Sequence, residues 1–204
     1  MTNTIAKPRA VVANISLSLD GRTTGPGGEY DMGWIVPHAI TDAARNQMIA
    51  VTSPATTVLL GRKNYQGFSS YWPSVADNES ADPRDRAFSR WLNSVEKVIF
   101  SSTLQKADWN NAHVVNADPA AVVRDLQLQA GDDIIVLASG SIIKRLLQAD
   151  VLDRLSFTLC PEIAGGGARL FEDGLSPSSW ALRQSTVTES GAISLLYDRA
   201  REKK

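Results

Sequence analysis

Cysteine is nearly absent: the 204 residues hold one, Cys160. A lone cysteine excludes an internal disulfide framework and makes a reducing compartment, the cytoplasm, the simplest home. Cys160 sits in an apolar, strand-like run, which points to a buried, inert thiol. Histidine is almost as scarce, with two in the chain, so a His- or Cys-rich metal site is not expected. Neither sign of charge dominates: 21 Lys and Arg stand against 22 Asp and Glu, a net charge of −1. That balance excludes the basic footprint of a nucleic-acid or anionic-membrane partner. No apolar run reaches the roughly 18 residues that a membrane span needs. The opening MTNTIAKPRA has no apolar stretch of the signal-peptide kind.

What is present is a chain that is 43% hydrophobic, enough for one well-packed domain over residues 1–204 with its core at about 10–198. Strand-like runs rich in Val, Ile or Leu occupy residues 10–18, 57–60, 97–101, 112–116, 134–138, 155–159 and 192–197. Helix-like segments at 41–51, 119–129 and 141–148 lie between them. Thr41 and the pair Asp118-Pro119 supply start signals for the first two. Strands alternating with helices predict an α/β domain with a largely parallel sheet covered on both faces. The last two strands have no helix between them, only the Gly-, Pro- and Ser-rich stretch 165–179, so the C-terminal end is expected to turn antiparallel. Residues 71–90 are polar and contain Pro73 and Pro83; they read as a surface excursion with one short helix near 84–92.

The most informative stretch is IIVLASGSIIKRLL, residues 134–147. A buried-type strand stops at Ser139-Gly140-Ser141 and a helix follows at once. The first N–H groups of a helix have no partner within it, and the helix dipole leaves partial positive charge there. A small-residue turn lets a phosphate reach both; the same order also suits a plain strand-to-helix connection. A second strand ends at Gly61, with Arg62-Lys63 opening the next turn, and arginine offers a planar fork of donors suited to phosphate. A third ends at Ser101-Ser102-Thr103, three hydroxyls that bind phosphate or ribose or cap a turn. All three turns belong at the carboxyl ends of strands, where open α/β sheets bind ligands. Together they suggest a dinucleotide, and the Arg with the hydroxyl pair favours NADP over NAD.

Two further segments carry chemistry. Asn14, Ser16 and Ser18 share one face of a strand, although strand interiors normally avoid Asn. That face suits a heterocycle or carboxamide, and equally a solvated edge strand. Asp20-Gly21 makes a turn, and Gly25–Gly28 gives a loop able to close over a ligand, followed by Trp34. In Gly165-Gly166-Gly167, either the chain turns a tight corner or another backbone or a ligand passes close by.

These pieces, in this order, resemble the dihydrofolate reductase-like family, and more closely the reductase domain of riboflavin biosynthesis and its stand-alone bacterial relatives. The likeness rests on Ser18-Leu19-Asp20-Gly21, on Leu60 to Phe68 (LGRKNYQGF), on Tyr71-Trp72-Pro73 and on Phe100 to Leu104 (FSSTL). It also rests on Ser139-Gly140-Ser141 with Leu146-Leu147, and on Ala164 to Gly167 with Arg169-Leu170-Phe171. The resemblance implies a three-layer fold: a twisted, mostly parallel mixed sheet with helices on both faces and an antiparallel C-terminal end. It implies NADPH as hydride donor, a small-molecule heterocyclic substrate and a homodimer. It places the adenosine phosphates near Gly61, Arg62, Lys63, Ser101, Ser102 and Thr103, and the pyrophosphate at Ser139, Gly140, Ser141 and Ile142. It places the nicotinamide beside Asn14 and Asp20, with Ser18, Trp34 and Gly166 around the substrate loop. With the first strand beginning within ten residues of the start, no deaminase domain is expected before it.

Two departures matter. Related proteins often carry arginine where Ser102 stands, which leaves Arg62 more of the 2′-phosphate task. Dihydrofolate reductases also use a helix carboxylate on the pterin, and here the corresponding helix offers only Asp42, near its start. The expected function is therefore NADPH-dependent hydride transfer to a pterin- or diaminopyrimidine-like heterocycle. The alternatives are a non-catalytic nucleotide-binding or dimerisation protein of the same fold, or a true dihydrofolate reductase. Asp20 either orients substrate and assists proton transfer or serves only its turn.

Overall fold

Alternation within the strands decides the layers. In β1 (Val11–Ser18), Val11, Ala13, Ile15 and Leu17 enter one core and Val12 the other. In β5 (Asp133–Leu137), Ile134 and Val136 oppose Ile135 and Leu137 in the same way. A strand apolar on both faces must be covered on both. The first face is covered by α5 (Pro119–Gln127) and α6 (Gly140–Gln148), through Val123, Leu126, Ile143 and Leu146. The second is covered by α2 (Asp42–Thr52), α3 (Arg62–Val75) and α4 (Pro83–Ser94), through Val51, Tyr65, Phe88 and Leu92. A short helix, α1 (Val36–Ala39), precedes α2. This computed structural model describes residues 8–201, so the first seven residues of the opening stretch discussed above lie outside it. Among the described residues no helix is long and apolar enough to cross a membrane.

The remaining strands are β2 (Ala55–Gly61), β3 (Glu96–Phe100), β4 (Ala112–Val115), β6 (Arg154–Cys160), β7 (Ser179–Val187) and β8 (Ile193–Ala200). They join one eight-stranded sheet in the order β4-β3-β2-β5-β1-β6-β8-β7. Neighbours from β4 to β6 are parallel; β8 runs antiparallel to both β6 and β7. The expected α/β class, the two-faced cover and the antiparallel end all hold. The carboxyl ends of β2, β3 and β4 come to one rim, where α3, α5 and α6 begin.

Two expectations are corrected. Residues 71–90 are not a surface excursion: the short helix expected near 84–92 is α4, and it pairs with α3, which runs on to Val75. Gly67 and Pro73 weaken the local helix signal of α3, and tertiary contacts override it. Ser89 Oγ donates to the Trp72 carbonyl at 2.5 Å, and the Asn93 amide donates to the Pro73 carbonyl at 3.4 Å. Asp82 caps α4, accepting from the Arg84 N–H at 2.8 Å. The second correction is β7, which the sequence reading passed over. It is an edge strand with only Trp180 and Thr186 half-buried, so its pattern carries almost no alternation. Its presence makes residues 193–197 an internal strand.

Two buried polar groups complete the frame. Lys97, the second residue of β3, is wholly buried. Its Nζ donates to the Leu92 and Val95 carbonyls, both at 2.7 Å, and lies 4.9 Å from the Trp109 ring centre. It thus caps the C-terminal end of α4, where positive charge is favoured. Burial nevertheless pushes its pKa from 10.5 down to about 8. Cys160 is buried and free, and burial first, then Glu162, pushes its thiol up to about 11, which suits an inert role.

Candidate active site

Three separated turns meet at one cavity of about 440 Å³ on the rim of β2, β3 and β4. Gly61, Arg62, Lys63 and Asn64 line it from the β2–α3 turn, Phe100, Ser101 and Ser102 from the end of β3, and Ser141 and Ile142 from the first turn of α6. Val115, Asn116, Ala117 and Pro119 close the fourth side. None of these lining residues is acidic. The helices α3 and α6 present their N-termini with no side chain capping them, so their first N–H groups and partial positive charge face the cavity region.

The local chemistry explains how the turns are held. Ser139 Oγ accepts from the Gly61 N–H at 2.9 Å and lies 2.9 Å from the Leu137 carbonyl and 3.2 Å from Asn64 Oδ1. Ser139 is buried, and this hydroxyl pins the β5–α6 turn to the β2–α3 turn. It is a positioning residue, not the phosphate contact expected from sequence. Ala138, just before it, has φ of 51°, a conformation costing of order 1 kcal/mol for a residue with a Cβ. Ser101 Oγ accepts from the N–H groups of Thr103 at 3.1 Å and Leu104 at 2.8 Å, which folds the 101–104 turn back on itself. Ser102 remains exposed at the cavity. Thr103 and Gly140, also expected to touch cofactor, are not among the lining residues. Lys63 pairs with Glu29 of the 25–31 loop. Arg62 bonds only Gln66, one turn along its own helix at 3.2 Å, and no carboxylate among the described residues pairs with it.

A second cavity, of about 310 Å³, lies on the α2–α3–α4 side of the sheet. Its floor is polar: Asn14 and Ser16 from β1, Ser156 and Thr158 from β6. The expected polar face of β1 is therefore real, but Ser18 is not part of it. Ser18 is wholly buried, its hydroxyl donating to Asp20 Oδ1 at 2.6 Å and accepting from the Arg22 N–H at 2.9 Å. Asn14 donates weakly to Met48 Sδ at 3.7 Å. The walls are apolar: Met48, Ile49, Trp72 and Phe88, with exposed Val36, Ile40 and Tyr71 among the remaining lining residues.

Asp20 lines neither cavity. Its carboxylate accepts from Ser18 and from the Ala164 and Gly165 N–H groups at 3.0 and 3.1 Å. Those bonds, led by the Ser18 hydroxyl, hold its pKa down to about 2. These contacts make Asp20 a clasp between the 18–22 turn and the glycine loop, the turn-serving role among its two expected ones. Trp34 and Gly166 also fall outside both cavities. Of the open readings for the triple glycine, a second backbone is what passes close. A Cβ at Gly167 would collide with the Thr24 carbonyl, and one at Gly166 would press on Pro26.

The sequence reading missed the charged end of the second cavity. Arg45, Arg84 and Asp85 line it, together with His38. His38 Nδ1 lies 2.9 Å from Ser190 Oγ and Nε2 lies 3.0 Å from Glu162 Oε1, so both ring nitrogens tie α1 to the β6 and β8 ends. The helix expected near 84–92 is α4, but nothing local marks Arg84, Asp85, Arg45 or His38 as lining a cavity.

A family model described as the RibD C-terminal domain matches residues 9–194. The fold is similar to that of a putative riboflavin biosynthesis protein from Shewanella sp. PV-4, with a TM-score of 0.70 and 20% identity over 94% of this chain and 99% of that one. It is similar to a diaminohydroxyphosphoribosylaminopyrimidine deaminase/5-amino-6-(5-phosphoribosylamino)uracil reductase from Thermotoga maritima, with a TM-score of 0.63 and 13% identity over 95% of this chain and 57% of that longer one. A dihydrofolate reductase from Enterococcus faecalis, complexed with NADP(H), shares the fold at a TM-score of 0.57 and 15% identity over 94% and 97% of the two chains.

Proposed function

The chain belongs to the RibD C-terminal domain family, and from that premise we propose that it is an NADPH-dependent reductase that transfers a hydride to a small heterocycle of the pterin or diaminopyrimidine type. One observation carries the reading: the turns at Arg62, Ser101 and Ser141 share a single acid-free cavity. The donors fit a phosphorylated nucleotide. Among the described residues Arg62 has no carboxylate partner, Ser102 is exposed beside it, and two uncapped helix starts offer N–H groups to phosphate. Neighbours of the same fold include an NADP(H)-bound reductase, which agrees with this reading.

When bound, the nicotinamide supplies the hydride. The chain's own residues position and dry the site. Asn14, Ser16, Ser156 and Thr158 hydrogen-bond the substrate's polar edge, and Met48, Trp72 and Phe88 pack on its ring. Asp85 is the only acid lining the cavity, and Arg45 holds it at 2.9–3.0 Å, so the proton that completes reduction comes from water at the open mouth. The homodimer is carried as part of the proposal, with the exposed Leu182 and Val187 on edge strand β7 as its pairing surface. A sedimentation mass of one chain removes that part alone. The whole reading is tested by titrating the protein with NADPH and following cofactor fluorescence. A saturable change at micromolar cofactor is expected; no change up to millimolar NADPH ends it.

A further inference from the structure

From the charge pairing around the second cavity, we propose that its ligand is an uncharged, planar heterocycle carrying no phosphate or carboxylate group. Arg45 and Arg84 are there internal struts, not anion receptors. The proposal deepens the reductase reading and rests on it for the ligand's class. Two arginines in a ligand cavity ordinarily suggest an anionic substrate. Here each of their nitrogens already holds a protein partner. Arg45 Nε lies 3.0 Å from both oxygens of Asp85, one terminal nitrogen lies 2.9 Å from Asp85 Oδ2, and the other donates to the Ile40 carbonyl. Arg84 donates to both oxygens of Asp82, at 2.9 and 2.7 Å, and to the Asp42 carboxylate. Its third nitrogen reaches the Asp42 carbonyl and Asn46 Oδ1, each at 3.3 Å. All three nitrogens of both guanidinium groups are engaged.

The count of charge points the same way. Arg45 and Arg84 are matched by Asp85, which lines the cavity with them, and by Asp42 and Asp82, which do not, so neither cation is left uncompensated. A phosphate arriving there meets Asp85 and finds each guanidinium already paired, so it gains little from either arginine. His38, the remaining basic group, has both nitrogens occupied by Ser190 and Glu162. The rest of the lining suits a neutral ring: a polar floor of amide and hydroxyl groups, aromatic walls, and the exposed Val36, Ile40 and Tyr71.

Ring-matched ligands test this without cofactor, so failure of NADPH binding and failure of this proposal are read separately. The probes are 6-hydroxymethylpterin, its phosphate ester, and 6-carboxypterin, titrated against the full chain by calorimetry. The neutral pterin is expected to bind at least tenfold tighter than either anion. A preference of threefold or more supports the proposal. A smaller preference, a reversed one, or no binding of any probe up to millimolar overturns it. The variant Asp85→Asn removes the partner of Arg45 and is expected to narrow the gap between neutral and phosphorylated pterin at least threefold; an unchanged gap also overturns the proposal. If that variant does not fold, Asp42→Asn, at an exposed carboxylate on Arg84, is read by the same criterion.

Discussion

Arg62 and Arg45 each stand in the wall of a cavity, and their surroundings are opposite. Arg62 opens α3, touches only a glutamine of its own helix, and shares its cavity with hydroxyls and uncapped N–H groups. Arg45 sits in the first turn of α2, and Asp85, Asp82 and a backbone carbonyl surround it. The same side chain is a receptor in one place and a strut in the other. What differs is the presence of a partner, because a guanidinium already neutralised by carboxylate gains little from a second anion and loses the first. A lining list alone would treat the two cavities as alike. The pairing separates one built for phosphate from one built for a neutral ring.

The comparison breaks most directly at Arg62. Arg62→Ala is expected to weaken NADPH binding by about 10- to 100-fold, the worth of a charge-assisted hydrogen bond or two. NADH, which lacks the 2′-phosphate, should change little, and pterin binding should not change at all. Fluorescence titration with both cofactors checks this, and equal losses for the two would remove Arg62 from 2′-phosphate recognition.

Lys97 sharpens the comparison with a third fate for a cation: buried, on carbonyls alone. The folded chain holds its proton more weakly than the unfolded chain, with pKa about 8 against 10.5. Below pH 8 both states are charged and the full burial penalty applies. Above pH 10.5 both are neutral and the penalty is gone. Lys97 should therefore contribute a rise of about 2 kcal/mol between pH 7 and pH 9.5, offset in part by the buried Cys160 thiol, whose raised pKa of about 11 acts in the opposite direction above pH 9. Urea unfolding at the two pH values measures it. Lys97→Met should flatten that slope, and the same slope in the variant would assign it to another group.

How much of this could be read along the chain follows from the range of each cause. The three phosphate-competent turns were legible because each is local: a strand end, a small residue, a hydroxyl or cation, a helix start. Their meeting at one rim was legible through the α/β rule that strand ends share an edge. Ser139 was misassigned because its partner, the Gly61 N–H, lies 78 residues away. Asp20 was open between two roles for the same reason, since the N–H groups that hold it come from Ala164 and Gly165. The charge compensation was invisible: Arg45 meets Asp85 only when α2 packs on α4, and no local pattern pairs two residues 40 positions apart. The sheet was legible except β7, whose exposed polar face carries no period.

Asn14 probes the neutral cavity more gently. Its amide makes one weak contact, to Met48 Sδ, so most of its hydrogen-bonding capacity faces the cavity. Asn14→Leu keeps the volume and removes the polar edge. Loss of one hydrogen bond, about 1 kcal/mol, predicts roughly fivefold weaker pterin binding with NADPH affinity unchanged. Unchanged pterin binding would move the ligand's polar edge elsewhere on the floor.

The smallest effect needs no variant. Raising ionic strength from about 0.01 M to about 0.1 M shortens the screening length from about 30 Å to about 10 Å and weakens attraction between separated charges. NADPH, drawn to Arg62 and the helix starts, should bind a few-fold more weakly at the higher salt. A neutral pterin should show no such slope, because no charge on it is being attracted. Its phosphate ester should show no comparable loss, since Arg45 and Arg84 are already paired with Asp42, Asp82 and Asp85. Equal salt slopes for the dinucleotide and the phosphate ester would mean that both cavities attract anions, and the contrast between Arg62 and Arg45 would not survive it.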